Sequence, residues 1–299
     1  MEDSSISVWP FYTGSIMFKE APILNIPELP IESARPLGGG DTCAAYEITT
    51  HHGEKYFCKT TSSYPDMLLA EAKGLTLMAS VTGVKVPAVV LSGEDYLVLE
   101  YIEPTMEQPT SHMEQLGRSL AALHREKSSH YGLRFDNYCG QSRQINTQMP
   151  ISVAFAEFYL EQRLYFQLDL AYYKGRAVDN LRKALDKASP RIYELLAPAD
   201  EAGEGASLLH GDLWSGNVLG DYFIDPAIYY GHREADLAMT SLFGGFSHQF
   251  YRAYNDAYPL LPGHREREPI YQLYHILNHY TIFGGSYGSQ AERILSRLI

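Results

Sequence analysis

The chain is poor in positive charge, in cysteine and in long apolar runs. Its 24 Lys and Arg stand against 36 Asp and Glu, a formal net charge of −12. A phosphate backbone or an anionic bilayer would meet repulsion over most of such a surface, so neither nucleic acid nor membrane is an expected partner. No stretch approaches the roughly 18 consecutive apolar residues of a membrane span, and the most apolar region is cut at Ser92-Gly93-Glu94-Asp95. The three cysteines, Cys43, Cys58 and Cys139, are widely spaced and form no CxxC pair. That pattern reads as free thiols in a reducing compartment, with the cytoplasm as the expected address, and argues against a disulfide framework or a zinc knuckle. The opening Met1-Glu2-Asp3-Ser4-Ser5 lacks the basic region of a secretory signal. Internal repeats and low-complexity tracts are also absent. What is present, 299 residues of which 45% are apolar and 20% charged, is the composition of a globular chain long enough for one large domain or two lobes.

The first 34 residues carry Pro10, Pro22, Pro27 and Pro30, which interrupt every candidate period. Beyond them, Ile31 to Leu37, Ala44 to Thr50 and Lys55 to Thr60 read as strands, broken by Gly38-Gly39-Gly40 and turned at His51-His52-Gly53. Met67 to Ser80 has helical spacing through Leu68, Ala72, Leu75 and Ala79, and Pro87 to Leu91 and Tyr96 to Ile102 read as short strands. Past Glu103-Pro104 the pattern turns helical over Met113 to Arg125, Val153 to Tyr173 and Asn180 to Ala197, with a long polar loop from Tyr131 to Met149. Short strands and turns occupy Ser207 to Asp225, and the rest, from Arg233, is mostly helical and rich in Tyr. The expected fold is therefore α+β and two-lobed. A small antiparallel-sheet lobe with one helix covers 1–102, a hinge lies near 100–106, and a larger helical lobe covers 103–299.

The sharpest chemical signal is His210-Gly211-Asp212-Leu213-Trp214-Ser215-Gly216-Asn217, followed by Phe223-Ile224-Asp225. Phosphoryl transfer from a nucleotide needs such a set: one carboxylate to orient and deprotonate the attacking hydroxyl, and an amide oxygen with a second carboxylate to hold Mg²⁺ on the phosphates. Asp212 fits the base, and Asn217 and Asp225 fit the metal ligands, at the Asp-to-Asn spacing of a protein-kinase catalytic loop. An Asx-rich turn between strands is the structural alternative. Lys59 at the end of the third strand and Glu71 on the next helix stand in the order of a phosphate-binding Lys and the Glu that holds it. Either alone would read as a solvated charge. The Gly38-Gly39-Gly40 turn offers backbone N–H groups to phosphates, and the backbone of Glu100 and Ile102, where a strand runs into the hinge, could pair with adenine. Asp236 reads as a brace for the catalytic loop. His275 and His279 share a helix face, as metal-binding pairs do, but no Glu follows His275 and no third ligand is evident in the sequence.

These residues resemble the fructosamine kinase (ketosamine-3-kinase) family, relatives of the aminoglycoside and choline phosphotransferases within the protein-kinase-like fold. The resemblance runs from about Pro36 onward. It rests on Pro36-Leu37-Gly38-Gly39-Gly40-Asp41, on Leu213-Trp214-Ser215-Gly216-Asn217 and on Asp225-Pro226-Ala227-Ile228-Tyr229-Tyr230-Gly231. It implies ATP- and Mg²⁺-dependent phosphorylation of the 3-hydroxyl of a small or protein-bound ketosamine, which labilises the adduct and frees the amine. It also implies substrate contacts at Asp136, Asn137 and Trp214. Ser142-Arg143 stand where Thr-Pro is expected, and His232 stands where the family carries an Asp. An aminoglycoside, choline or sugar kinase of the same fold is the alternative. A catalytically silent nucleotide-binding protein would be expected to have lost Lys59, Asp212, Asn217 or Asp225, and all four are present.

Overall fold

A computed structural model describes residues 26–37, 43–64, 66–103 and 110–299. The first elements are strands β1 (Ile31–Pro36), β2 (Ala44–Thr50) and β3 (Lys55–Thr60), helix α1 (Met67–Ala79), and strands β4 (Val89–Ser92) and β5 (Tyr96–Glu100). The strands form one antiparallel sheet in the order β1-β2-β3-β5-β4. The β2–β3 reversal closes at Gly53, whose N–H donates to the Thr50 carbonyl at φ +80°. β4 begins two residues later than expected because Pro87 has no N–H to give to a ladder, and the first bond on that side is Glu100 N–H to the Ala88 carbonyl.

The remainder is mainly helical: α2 (Thr110–Leu123), α3 (Phe155–Tyr159), α4 (Phe166–Tyr173), α5 (Asp179–Glu201), α6 (Glu234–Leu242), α7 (His248–Ala257), α8 (His264–Phe283) and α9 (Tyr287–Ser296). The helix expected over Val153 to Tyr173 starts at Phe155 and is interrupted by a π-helical turn, Leu160–Tyr165. That turn carries Arg163, fully buried, with its guanidinium 4.1 Å from the Tyr229 ring centroid. Arg163 donates to the Ile145 carbonyl at 2.6 Å and to Asn146 Oδ1 at 2.7 Å. The loop expected between Tyr131 and Met149 is thereby pinned, and it holds a short hairpin, Asn137–Cys139 against Ser142–Gln144.

Burial explains how the parts join. Leu68, Leu75 and Met78 of α1 pack in one cluster with Leu120 of α2, Leu213 of the catalytic segment, and Phe223 and Ile228 beyond it. A second cluster, from Phe155, Leu185, Ile192, Tyr271 and Leu277, forms the centre of the helical part. At roughly 1.5–3 kcal/mol for each large apolar side chain removed from water, the first cluster is what fixes α1 against the catalytic segment. Among the described residues no helix is long and apolar enough to cross a membrane.

Candidate active site

Lys59 lies on β3 and Glu71 on α1, and the antiparallel meander delivers both to one cavity of about 470 Å³ that also receives Asp212, Trp214, Asn217 and Asp225. Lys59 is 8% exposed, and its ammonium bridges Glu71 Oε1 at 2.7 Å and Asp225 Oδ1 at 2.6 Å. Burial alone would lower its pKa, but the Asp225 and Glu71 carboxylates outweigh burial and hold it above the ordinary lysine range. A buried cation in this position is therefore charged at all physiological pH.

Asp212 and Asn217 sit on a loop that folds back on itself. Asn217 Nδ2 donates to the Asp212 carbonyl at 2.8 Å and to Asp212 Oδ2 at 3.3 Å, and the Asn217 N–H donates to the Trp214 carbonyl at 2.9 Å. Burial, with the Asp225 charge adding to it, pushes the Asp212 carboxyl up to about 7. The loop is held from beneath by Asp236, fully buried on α6, which accepts the His210 N–H at 2.7 Å and the Gly211 N–H at 2.8 Å. Burial works to raise the Asp236 pKa, and the hydrogen bond and charge of His124, at 3.0 Å, together with those N–H groups, bring it below the usual carboxylate value. Gly211 has φ +83°, and a Cβ there would lie 1.9 Å from the Ala227 carbonyl oxygen, so only glycine lets the loop cross the Asp225-Pro226-Ala227 run this closely.

Asp225 has φ +55°, the one positive value outside glycine among the described residues. Asp tolerates this region better than most side chains, and strain there is usually held in place by its surroundings. Here the surroundings are the Lys59 ion pair, the Ala227 N–H bonded to the His210 carbonyl, and His210 Nε2 at 2.9 Å from the Ile224 carbonyl. The donor set can hold a hard cation. Asn217 has committed Nδ2 to Asp212 and turns Oδ1 away from that contact, and Asp225, with its side chain 46% exposed, uses only Oδ1 for Lys59. Oxygen ligands of this kind suit Mg²⁺.

A small cleft bounded by Phe57, Leu99, Leu219 and Ile224 opens beside Asp225 and is lined by Glu100 and Ile102 as well. The Glu100 N–H is bonded to the Ala88 carbonyl at 2.9 Å. Gly38, Gly39 and Gly40 lie outside the described residues. Trp214 lines the main cavity with its ring over Gly216, where an added Cβ would come within 2.2 Å of the indole. Asn137 also lines the cavity, but its amide bonds Ile228, Gln144 and Asn146.

Asp136 does not line the cavity. It pairs with Arg143 at 3.0 Å and accepts the Asn146 N–H at 2.9 Å, so its carboxylate closes its own loop. His275 and His279 do not act as a pair: His279 Nδ1 is bonded to the His275 carbonyl, and its ring sits among Phe243, Phe283 and Tyr287. His275 instead faces Asp212, Nδ1 to Oδ1 at 3.9 Å. His232 makes up for the Asp it replaces by bonding Asp200 through Nε2 at 2.9 Å and the Tyr271 hydroxyl through Nδ1 at 3.1 Å. Motif spacing did not point to Tyr138, Met239, Phe243 and Phe283, which complete the cavity wall. The Phe243-Gly244-Gly245 run, an aromatic beside paired glycines, was the one local sign of them.

Comparison with known proteins gives the family and the fold. The family model described as fructosamine kinase matches residues 24–299. The chloroplastic protein-ribulosamine 3-kinase of Arabidopsis thaliana is 37% identical over 276 residues, covering 87% of this chain and 80% of that one. A crystal structure from Thermobifida fusca, solved under the name fructosamine-3-kinase, superposes with a TM-score of 0.81 at 30% identity, covering 91% of this chain and 96% of that one. The ethanolamine kinase of Plasmodium vivax shares the fold, with a TM-score of 0.59 at 13% identity, covering 90% of this chain and 81% of that one. The antiparallel sheet and helical remainder are thus a protein-kinase-like α+β fold, the enzyme is an ATP-using phosphotransferase, and the chain belongs to the fructosamine kinase family.

Proposed function

We propose that the protein transfers the γ-phosphoryl group of ATP to the 3-hydroxyl of a ketosamine, small or protein-bound. The observation that carries this reading is the convergence of Lys59, Glu71, Asp212, Asn217 and Asp225 on one cavity within a chain of this family. The base of the nucleotide occupies the cleft at Glu100 and Ile102, pairing with the Glu100 carbonyl and the Ile102 N–H. Gly38, Gly39 and Gly40 cover the phosphates. Lys59, fixed by Glu71, neutralises phosphate oxygens, and Asn217 and Asp225 hold Mg²⁺. When bound, that ion supplies positive charge to the phosphate oxygens on which charge builds during transfer.

Asp212 accepts the hydroxyl proton. A carboxyl raised to about 7 is a far better proton acceptor at neutral pH than an ordinary Asp, because general-base efficiency follows basicity up to the working pH. Trp214 and Asn137 line the space left for the sugar, and Asp136 holds the loop that carries Asn137. The division at 102/103 assigns nucleotide to the sheet and substrate to the helical part. With three free thiols, the cytoplasm or another reducing compartment is the setting this reading supports.

The test is ADP release over ribulose- and fructose-modified lysine, an aminoglycoside and choline, with the product located by NMR. Phosphate on the 3-oxygen of the ketosamine is the expected result. Turnover of the aminoglycoside or choline with none of either ketosamine would overturn the assignment.

A further inference from the structure

Behind Asp212, and not themselves lining the cavity, the hairpin residue Cys139 and the α8 residue His275 bring Sγ and a ring nitrogen close to its carboxylate. Sγ, the imidazole nitrogen and the Asp212 carboxylate oxygen all lie within 4.8 Å of one another. Cys139 is 1% exposed and His275 is 4% exposed. His275 Nδ1 is buried without a hydrogen-bond partner among the described residues, and 3.9 Å to Asp212 Oδ1 is too long to be one. The Cys139 sulfur accepts Asn278 Nδ2 at 3.2 Å. Asn278 is itself held by Gln167 Nε2 at 2.9 Å on its Oδ1. The mechanism above uses neither Cys139 nor His275.

We propose that Cys139, Asp212 and His275 form a zinc site that takes the catalytic base out of action. A sulfur, an imidazole and a carboxylate are the mixed ligand set that Zn²⁺ prefers and Mg²⁺ does not. Zinc–ligand bonds of about 2.0–2.3 Å place tetrahedral neighbours roughly 3.3–3.7 Å apart, so an approach of little more than an ångström completes the set, with water in the fourth position. Binding forms a Zn–S bond and releases the thiol proton to solvent. The thiolate and the Asp212 carboxylate together neutralise the ion, and the Asn278 N–H and its Gln167 support steady the sulfur from the second layer. Asp212 Oδ1, bound to zinc, can no longer take the proton of a hydroxyl. Zinc would therefore stop turnover without displacing ATP.

The inhibitory half rests on Asp212 being the base, and the binding half does not, so two readouts are paired. In the first, cobalt(II) is added to the metal-free full-length protein and the thiolate-to-metal charge-transfer absorption is recorded. A band in the wild type that Cys139→Ser removes and Cys43→Ser keeps is expected. No band in the wild type, or a band that survives in Cys139→Ser, overturns the site, and the wild-type spectrum decides this even if a variant fails to fold. In the second, ADP release is followed at fixed Mg-ATP and ketosamine while free Zn²⁺ is raised, each variant being compared with its own zinc-free rate. The half-inhibiting zinc concentration should rise at least about tenfold in Cys139→Ser, since loss of even an outer-shell partner costs that much at protein metal sites, and excess Mg²⁺ should not relieve the wild type. Equal sensitivity of the two proteins, or relief by Mg²⁺, would place the inhibition at Asn217 and Asp225 and overturn the proposal. A Cys139-dependent cobalt band without zinc inhibition would keep the site and overturn Asp212 as the base.

Discussion

Replacing Asp212 by Asn should make the metal-free protein more stable while destroying its activity, and the gain should depend on pH. The carboxyl is raised from 3.8 to about 7 by burial and by Asp225. A carboxylate whose folded pKa lies above its unfolded value costs nothing below the unfolded pKa, where both states are protonated. The cost grows as pH rises through the interval and is complete above the folded pKa. At about 1.4 kcal/mol per pKa unit, the full cost is about 4 kcal/mol. The amide removes it with little loss of contacts: its oxygen can stay on Asn217 Nδ2, and its nitrogen would face the unpartnered Nδ1 of His275. For a chain of this size about 2 °C follows each kcal/mol, so Asp212→Asn should melt several degrees above the wild type at pH 8 and within a degree or so at pH 4. The assay is thermal or urea unfolding of both proteins across that range in a chelator, alongside turnover with Mg-ATP, which should fall by roughly 10²–10⁴. A melting difference that is the same at pH 4 and pH 8, or a variant less stable at pH 8, would refute the electrostatic reasoning. Near wild-type turnover would remove Asp212 from the chemistry.

Four more outcomes follow from contacts described above. Asp225→Ala should abolish Mg²⁺-dependent nucleotide binding, read by titration calorimetry with and without the metal, whereas Lys59→Met should weaken ATP binding and slow turnover but leave a metal dependence. Asp236→Asn leaves a buried His124 and two loop N–H groups facing one amide, and should cost about 1.5–3 kcal/mol in urea unfolding at pH 7. Because the Asp236 pKa is depressed, that difference should be complete above the ordinary carboxylate value and shrink as pH falls below it. Gly211→Ala should be recovered poorly or melt far below the wild type, since its Cβ collides with the Ala227 carbonyl.

The sequence disclosed the part of the site that is written locally. Asp212 and Asn217 lie five residues apart on one loop, Asp225 follows a two-residue strand, and Lys59 ends a strand whose alternation is plain, so period and spacing were enough. Contacts made by distant packing were not readable. Cys139 and His275 meet only because α8 passes behind the hairpin, and nothing near either residue marks the other. Asp136 misled for a different reason: a polar loop in a buried setting must satisfy its own backbone and side chains, and Asp136, Arg143 and Asn146 do that for one another. The π-turn at Leu160–Tyr165 was hidden because its side-chain pattern is that of an ordinary helix.

Helix α1 rests on the segment that follows Asp225. Gly74 has no side chain, and a methyl group there would only just touch Ile228 at 3.5 Å and Pro226 at 3.6 Å. Glu71, one turn earlier on the same helix, is therefore positioned by the catalytic segment as much as by its own sheet. Many kinases keep this helix swung away until a phosphate or a partner draws it in, and use that movement as a switch. Here the Lys59–Glu71 pair is closed, and the surface that would have to part is an apolar core shared with Leu213 and Phe223. Moving this helix away would return that core to water, so burial as well as the ion pair holds its position.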